Sequence, residues 1–163
     1  MKIWSSRPVE VANYYNPAYL GRIIYSIIKS FQSTKPQGVP YDLLFILMPL
    51  ILVKPYRESL PTNTRTHFQN WIQNNEELKI DYALVIKDIM PYIKEALIFL
   101  LQRDLIILNN NGYLILGNKK LTSISKQDSK EIKTNINKAI FVGKWFAKNS
   151  DKELIYILLG VKP

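Results

Sequence analysis

The chain is 163 residues long, 47% hydrophobic, carries a formal net charge of +9 and has no cysteine. That length and apolar content suit a single domain over residues 1–163, and the absent thiols exclude a disulfide framework and a thiolate metal site. The charge is uneven, ten lysines against four acids from Gly117 onward and twelve basic residues against nine acids before it. Two readings stay open: attraction to phosphate or to an acidic protein, and a solvated lysine-rich helix face.

Met1-Lys2-Ile3-Trp4-Ser5-Ser6-Arg7-Pro8 has no apolar centre of the kind an export signal needs, so a cytoplasmic location is expected. The most apolar run, residues 43–53, is shorter than the roughly 20 residues of a membrane span and contains Pro49. It is expected to be a buried helix, with no membrane role.

Asn16 before Pro17 predicts a helix start, because the Asn side chain can accept from free N–H groups and Pro lacks the donor that would be wasted there. Leu20, Ile23, Ile24, Ile27, Ile28 and Phe31 then fall on one helical stripe, stopped by Lys35-Pro36-Gln37-Gly38. A second helix over about residues 41–54, apolar on nearly every side, should be kinked or divided by Pro49. Lys54-Pro55-Tyr56-Arg57-Glu58-Ser59-Leu60-Pro61 reads as a structured connection rather than a strand or helix. Thr64 is placed to cap a short helix carrying Phe68, Trp71 and Ile72.

Asn75 before Glu76 and Glu77 predicts a helix to about Met90, with Pro91 forcing a fresh start for a helix over residues 91–103. Leu105-Ile106-Ile107-Leu108 and Tyr113-Leu114-Ile115-Leu116 flank Asn109-Asn110-Asn111-Gly112, which predicts a β-hairpin because Asn and Gly tolerate positive φ. Two helices with a tight break followed by a hairpin give the order of a winged helix-turn-helix. The expected fold is therefore mainly α with a small β-hairpin, a winged-helix-like part at residues 41–117 and flanking helices at both ends. A polar stretch, 117–128, leads to a lysine-rich helix over residues 129–148 with Ile132, Ile136, Ala139, Ile140, Gly143 and Phe146 as its apolar stripe, so residues 118–163 form a basic helix and tail. A short apolar segment, 154–159, closes the chain.

The common catalytic constellations are missing. No G-x-x-x-x-G-K-[ST] string offers a phosphate loop, and the sole imidazole, His67, has neither metal-ligand companions nor a serine elbow to serve. His67 reads as an ordinary polar residue at a helix start. Glu76 and Glu77 are neighbours on a helix and so do not face each other. No cofactor, metal or catalytic residue is expected. A groove-reading helix needs a polar, basic outer face, but over residues 91–103 Lys94 and Arg103 are offset by Glu95 and Asp104, and Ala96-Leu97-Ile98-Phe99-Leu100-Leu101 is apolar throughout. Such a surface suits protein contact.

Arg7-Pro8-Val9-Glu10-Val11-Ala12-Asn13-Tyr14-Tyr15-Asn16-Pro17-Ala18-Tyr19-Leu20 and Gly38-Val39-Pro40-Tyr41, leading into the apolar helix, resemble the middle component of three-component ABC-ATPase systems. Lys54 to Pro61, Thr64-Arg65-Thr66, Pro91-Tyr92-Ile93-Lys94-Glu95-Ala96-Leu97, Phe141-Val142-Gly143-Lys144-Trp145-Phe146 and Leu159-Gly160-Val161-Lys162-Pro163 are similar to its later landmarks. The resemblance spans essentially the whole chain in order. It implies a non-catalytic adaptor subunit in a bacterial defence against phage and plasmids, of the Lamassu group. The implied partners are an SMC-like ABC ATPase, of the structural-maintenance-of-chromosomes and double-strand-break-repair type, and an effector, often a nuclease, held silent until foreign DNA is sensed. The competing reading is a stand-alone winged-helix DNA-binding regulator.

Partner-binding candidates are Lys54, Tyr56, Arg57, Glu58 and Arg65 around the Pro-flanked connection, where Arg57 and Arg65 could each fork onto a carboxylate. Arg57 and Glu58 have a second reading as an internal ion pair. Phe141 and Trp145, one turn apart and off the isoleucine stripe, are candidate aromatic anchors, with packing on residues 154–159 as the alternative. Lys130, Lys133, Lys144 and Lys148 are the candidates for non-specific contact with a DNA backbone.

Overall fold

A computed structural model describes residues 7–122, 124–149 and 151–161. After a short helix α1 (Val9–Tyr14), Asn16 acts as its position predicts: its Oδ1 accepts from Ala18 N at 2.8 Å and Tyr19 N at 3.4 Å and opens α2 (Pro17–Gln32). The predicted stripe of α2, from Leu20 to Phe31, is buried completely. Tyr25, Ser26 and Ser30 are buried too, so α2 is covered on more than one side.

Gly38 takes a positive φ and leads into β1 (Val39–Pro40), after which Pro49 divides the apolar run into α3 (Tyr41–Leu47) and α4 (Pro49–Leu52), as expected. The next segment departs from the expectation of a non-helical connection: residues 54–59 form α5 (Lys54–Ser59). Pro55 sits in its first turn, where the missing N–H costs nothing, and Pro61 lies beyond its end, so the two prolines bracket a helix rather than forbid one. α6 (Phe68–Gln73) follows with His67 at its N-cap and no side-chain cap. Thr64 does not cap it; its hydroxyl instead accepts from Lys148 Nζ at 3.0 Å.

The helix expected from Asn75 is only a 3-10 turn, Glu76–Lys79, and the Asn75 side chain does not cap it; its Nδ2 donates back to the Trp71 carbonyl at 2.7 Å. A left-handed Asp81 then starts α7 (Tyr82–Gln102), which runs unbroken through Pro91. The expected fresh start at Pro91 does not occur. Pro91 is on the solvent side, where water can satisfy the carbonyl that loses its donor, while Ile86, Ile89, Ile93, Ala96, Leu97 and Leu100 hold the opposite face in the core.

The hairpin forms as predicted from β2 (Ile106–Leu108) and β3 (Tyr113–Leu116), with Leu108 opposite Leu114. Asn109 Oδ1 accepts from Asn111 and Tyr113 N–H, and Gly112 has φ 77°. β1 adds a third strand, Val39 opposite Leu114, giving the order β1-β3-β2. The fold is mainly α with a small antiparallel sheet, but the tight break between two helices that suggested a winged helix-turn-helix is absent, and the sheet begins before residue 41.

α8 (Lys130–Asn149) and α9 (Lys152–Leu159) complete the chain, α9 capped by Asp151 and ended by a left-handed Gly160. α8 lies along α2, and Gly143 permits the approach: a Cβ there would stand 2.1 Å from Ser30 Oγ and 2.6 Å from the Ile27 carbonyl oxygen. The buried face of α8 is Asn135, Ile136, Ala139, Val142, Gly143, Trp145, Phe146 and Ala147, rotated from the predicted stripe so that Ile132 and Ile140 are half-buried.

Candidate partner-binding surface

Two side chains of α8 fix the 60–67 connection, and one from α6 fixes the end of α5 that leads into it. Trp71 Nε1 donates to the Ser59 carbonyl and Trp145 Nε1 to the Thr66 carbonyl, each at 2.7 Å, while Lys148 reaches Thr64. Asn63 Oδ1 accepts from Arg65 N at 2.9 Å and tightens the turn that leaves Arg65 exposed. Arg65 is thus held over the C-terminal half of α8, beside the turn carrying Phe141 and Trp145.

Trp145 is not the exposed anchor that its place off the isoleucine stripe suggested: it is 0% exposed. Phe68, Trp71 and Phe146 surround its ring at centroid distances of 5.8, 5.3 and 5.0 Å, so α6 covers it and the indole N–H is satisfied inside. Phe141, 6.0 Å away, stays half-buried and is the aromatic that meets solvent here.

α5 divides its candidates in the same way. Lys54 and Glu58 are exposed and 3.8 Å apart across one turn. Tyr56 points inward, its ring 5.0 Å from that of Tyr82, whose hydroxyl donates to the Ile46 carbonyl at 2.7 Å. Arg57 Nη1 donates to the Ile51 carbonyl at 2.9 Å, so part of its fork closes an open carbonyl of α4. Arg57 and Glu58 do not pair with each other; Glu58's partner is Lys54.

Lys130, Lys133, Lys144 and Lys148 lie within about 60° of one another around α8 at 100° per residue. Lys130, Lys144 and Lys148 are exposed; Lys133 is half-buried and donates to the Lys126 carbonyl at 3.2 Å. On the outer face of α7, Ile98 and Leu101 are exposed beside Lys94 and Gln102. Glu95 is absent from that face: it takes both Arg7 Nη groups, the Nη1 contact being 2.8 Å.

Sequence reasoning missed the long-range ion pairs. Arg7–Glu95 ties the start of the chain to α7, and Tyr15 stacks on Tyr92 at 4.3 Å beside it. Arg22 donates through both Nη atoms to Asp128, which also accepts from Ser125 N at 2.6 Å. The Arg22 hydrogen bonds are the largest influence holding the Asp128 pKa down to about 2. Asp42 pairs with Lys152, which with a Tyr156 contact outweighs burial and lowers the Asp42 pKa. The available signal was that Arg7 and Glu95 both fall in landmark strings, but one sequence does not say which landmarks meet.

Among the described residues no group of three His, Cys, Asp or Glu could hold a metal ion, and no helix is long and apolar enough to cross a membrane. His67 is exposed at the N-cap of α6. No curated protein and no solved structure gives a significant match to the chain. A family model does match, and it covers residues 4–163, taking in every element described above. The chain belongs to the family of the ABC-three component (ABC-3C) system Middle Component 3.

Proposed function

We propose that the chain is a non-catalytic adaptor that bridges an SMC-like ABC ATPase and an effector of the nuclease class. In this reading it acts in the bacterial cytoplasm, in a defence system of the Lamassu kind, and helps keep the effector silent until foreign DNA is sensed. Membership of the Middle Component 3 family across residues 4–163 carries the reading, since it makes the chain one part of a multi-component system. The geometry supports a partner surface at Arg65, Phe141 and the exposed Lys54–Glu58 edge of α5, with Tyr56, Arg57 and Trp145 as the residues that hold it in shape. The exposed Ile98 and Leu101 on α7 suit protein contact rather than groove reading.

Co-expression tests this directly: the ATPase and effector encoded with the chain should co-purify in its presence and separate in its absence. Equal association without the chain would remove the bridge. ATP or nucleic-acid hydrolysis by the purified chain, abolished by a substitution within it, would remove the non-catalytic assignment.

The common lysine face of α8 favours a second reading, DNA contact, alone or within the complex. Such contact should weaken steeply with salt and show little sequence preference. A footprint on one sequence at physiological salt, lost on changing Lys94 or Gln102, would instead support the stand-alone regulator.

A further inference from the structure

A groove of about 420 Å³ lies between α2, α8 and the stretch that precedes α8. Its floor is made of small residues of α2, Ser26, Ser30 and Ser33, which leave room between the longer side chains at its edges. Ser26 and Ser30 are buried and their hydroxyls are turned back onto their own helix, to the Arg22 and Ile27 carbonyls at 2.7 and 3.0 Å, so neither proton is offered to a visitor. Ile124, 37% exposed, and the half-buried Ile140 form apolar walls. Lys29 from α2 and Lys144 from α8 stand at the edges, both exposed and neither in an ion pair among the described residues. No lining residue is acidic. The outer wall is fastened, because Asp128 holds Ser125 N while Arg22 holds Asp128.

We infer that this groove receives a short acidic peptide segment bearing aliphatic side chains, from another component of the same system. The inference rests on the adaptor reading and gives that adaptor a second contact, lined from α8 by Ile140 and Lys144 rather than by Phe141. Two ammonium groups flanking two isoleucines match alternating carboxylates and aliphatic side chains, whereas a phosphate backbone would use the lysines and leave the isoleucines wet. A second copy of this chain would bring its own net charge of +9 to an already positive edge. Residues 1–6, 123, 150, 162 and 163 hold no Asp or Glu, so the parts of the chain outside the described residues lack the complementary charge.

Fluorescence anisotropy with a labelled peptide of alternating Glu and Leu tests the groove, with a Lys/Leu peptide and a single-stranded oligothymidine as comparison probes. The Glu/Leu peptide should bind the intact chain at least about tenfold more tightly than it binds the Lys29→Glu/Lys144→Glu variant. Ile124→Asp should weaken it as well, and Lys87→Glu on α7 should leave it unchanged. Both groove lysines are exposed, so the double variant should melt like the parent; if it does not, Lys29→Gln/Lys144→Gln supplies the same reading. Equal binding by parent and lysine variant, tighter binding of oligothymidine through the same two lysines, or self-association that the variant abolishes would each overturn the proposal. In the co-expressed complex, association lost in the double variant supports the groove. Association kept in both parent and variant overturns the groove alone, and association absent with the parent overturns the adaptor reading beneath it.

Discussion

Trp145 and Lys148 sit one turn apart on α8 and bind the same connection, the indole at the Thr66 carbonyl and the ammonium at the Thr64 hydroxyl. Their settings differ: Trp145 is 0% exposed among Phe68, Trp71 and Phe146, and Lys148 is in solvent. A hydrogen bond of nearly the same length is therefore part of a desolvated core in one case and competes with water in the other. The inward side of α8 fixes where the connection lies; the outward side is free to meet something else.

The largest effect that would break this contrast is on the inward side. Trp145→Ala should destabilise the free chain by about 3–5 kcal/mol, measured by chemical denaturation, and release the 60–67 connection to protease. A near-normal midpoint would mean that the indole is not a core residue. Gly143→Ala should cost about 1–3 kcal/mol, because the new methyl meets the Ile27 backbone, which cannot swing away as a side chain end could. Stability unchanged by this substitution would show that α2 and α8 do not approach as closely as described.

The Arg22–Asp128 pair gives an intermediate effect with a sign set by pH. The Asp128 pKa is lowered from 3.8 to about 2 in the folded chain, so its contribution is present above about pH 4 and is lost as pH falls toward 2. Asp128→Asn should melt below the parent at neutral pH, and the gap should close across that acid window. A gap that is constant with pH would remove the charge pairing from the explanation. Smallest of all, Lys148→Ala should change stability by less than about 0.5 kcal/mol, since an exposed contact is screened and costs side-chain entropy.

What could be read from the sequence was local. The Asn16 cap, the α2 stripe, the split at Pro49 and the hairpin around Asn109 and Gly112 each depend on residues within a few positions, and all formed. Pro91 misled because packing from α2 and α3 carried α7 through the proline, and Asn75 misled because its side chain turns back toward α6 and caps nothing. The site was legible as a set of segments and not as a surface. Arg65 and the Phe141–Trp145 turn were both chosen, yet their meeting depends on bonds spanning 79 and 84 positions, which no local pattern encodes. The same distance hid the burial of Trp145, because Phe68 and Trp71 of α6 pack on its ring from more than 70 positions away.

The central claim is that the fixed connection presents Arg65 to another component of the system. Co-purification of Arg65→Glu with the co-expressed ATPase and effector, alongside melting of the free variant, tests it most directly. The account predicts a variant that melts like the parent and loses at least about 90% of its partner recovery, as reversing one exposed interface charge can do. Full recovery by a folded Arg65→Glu chain would contradict it.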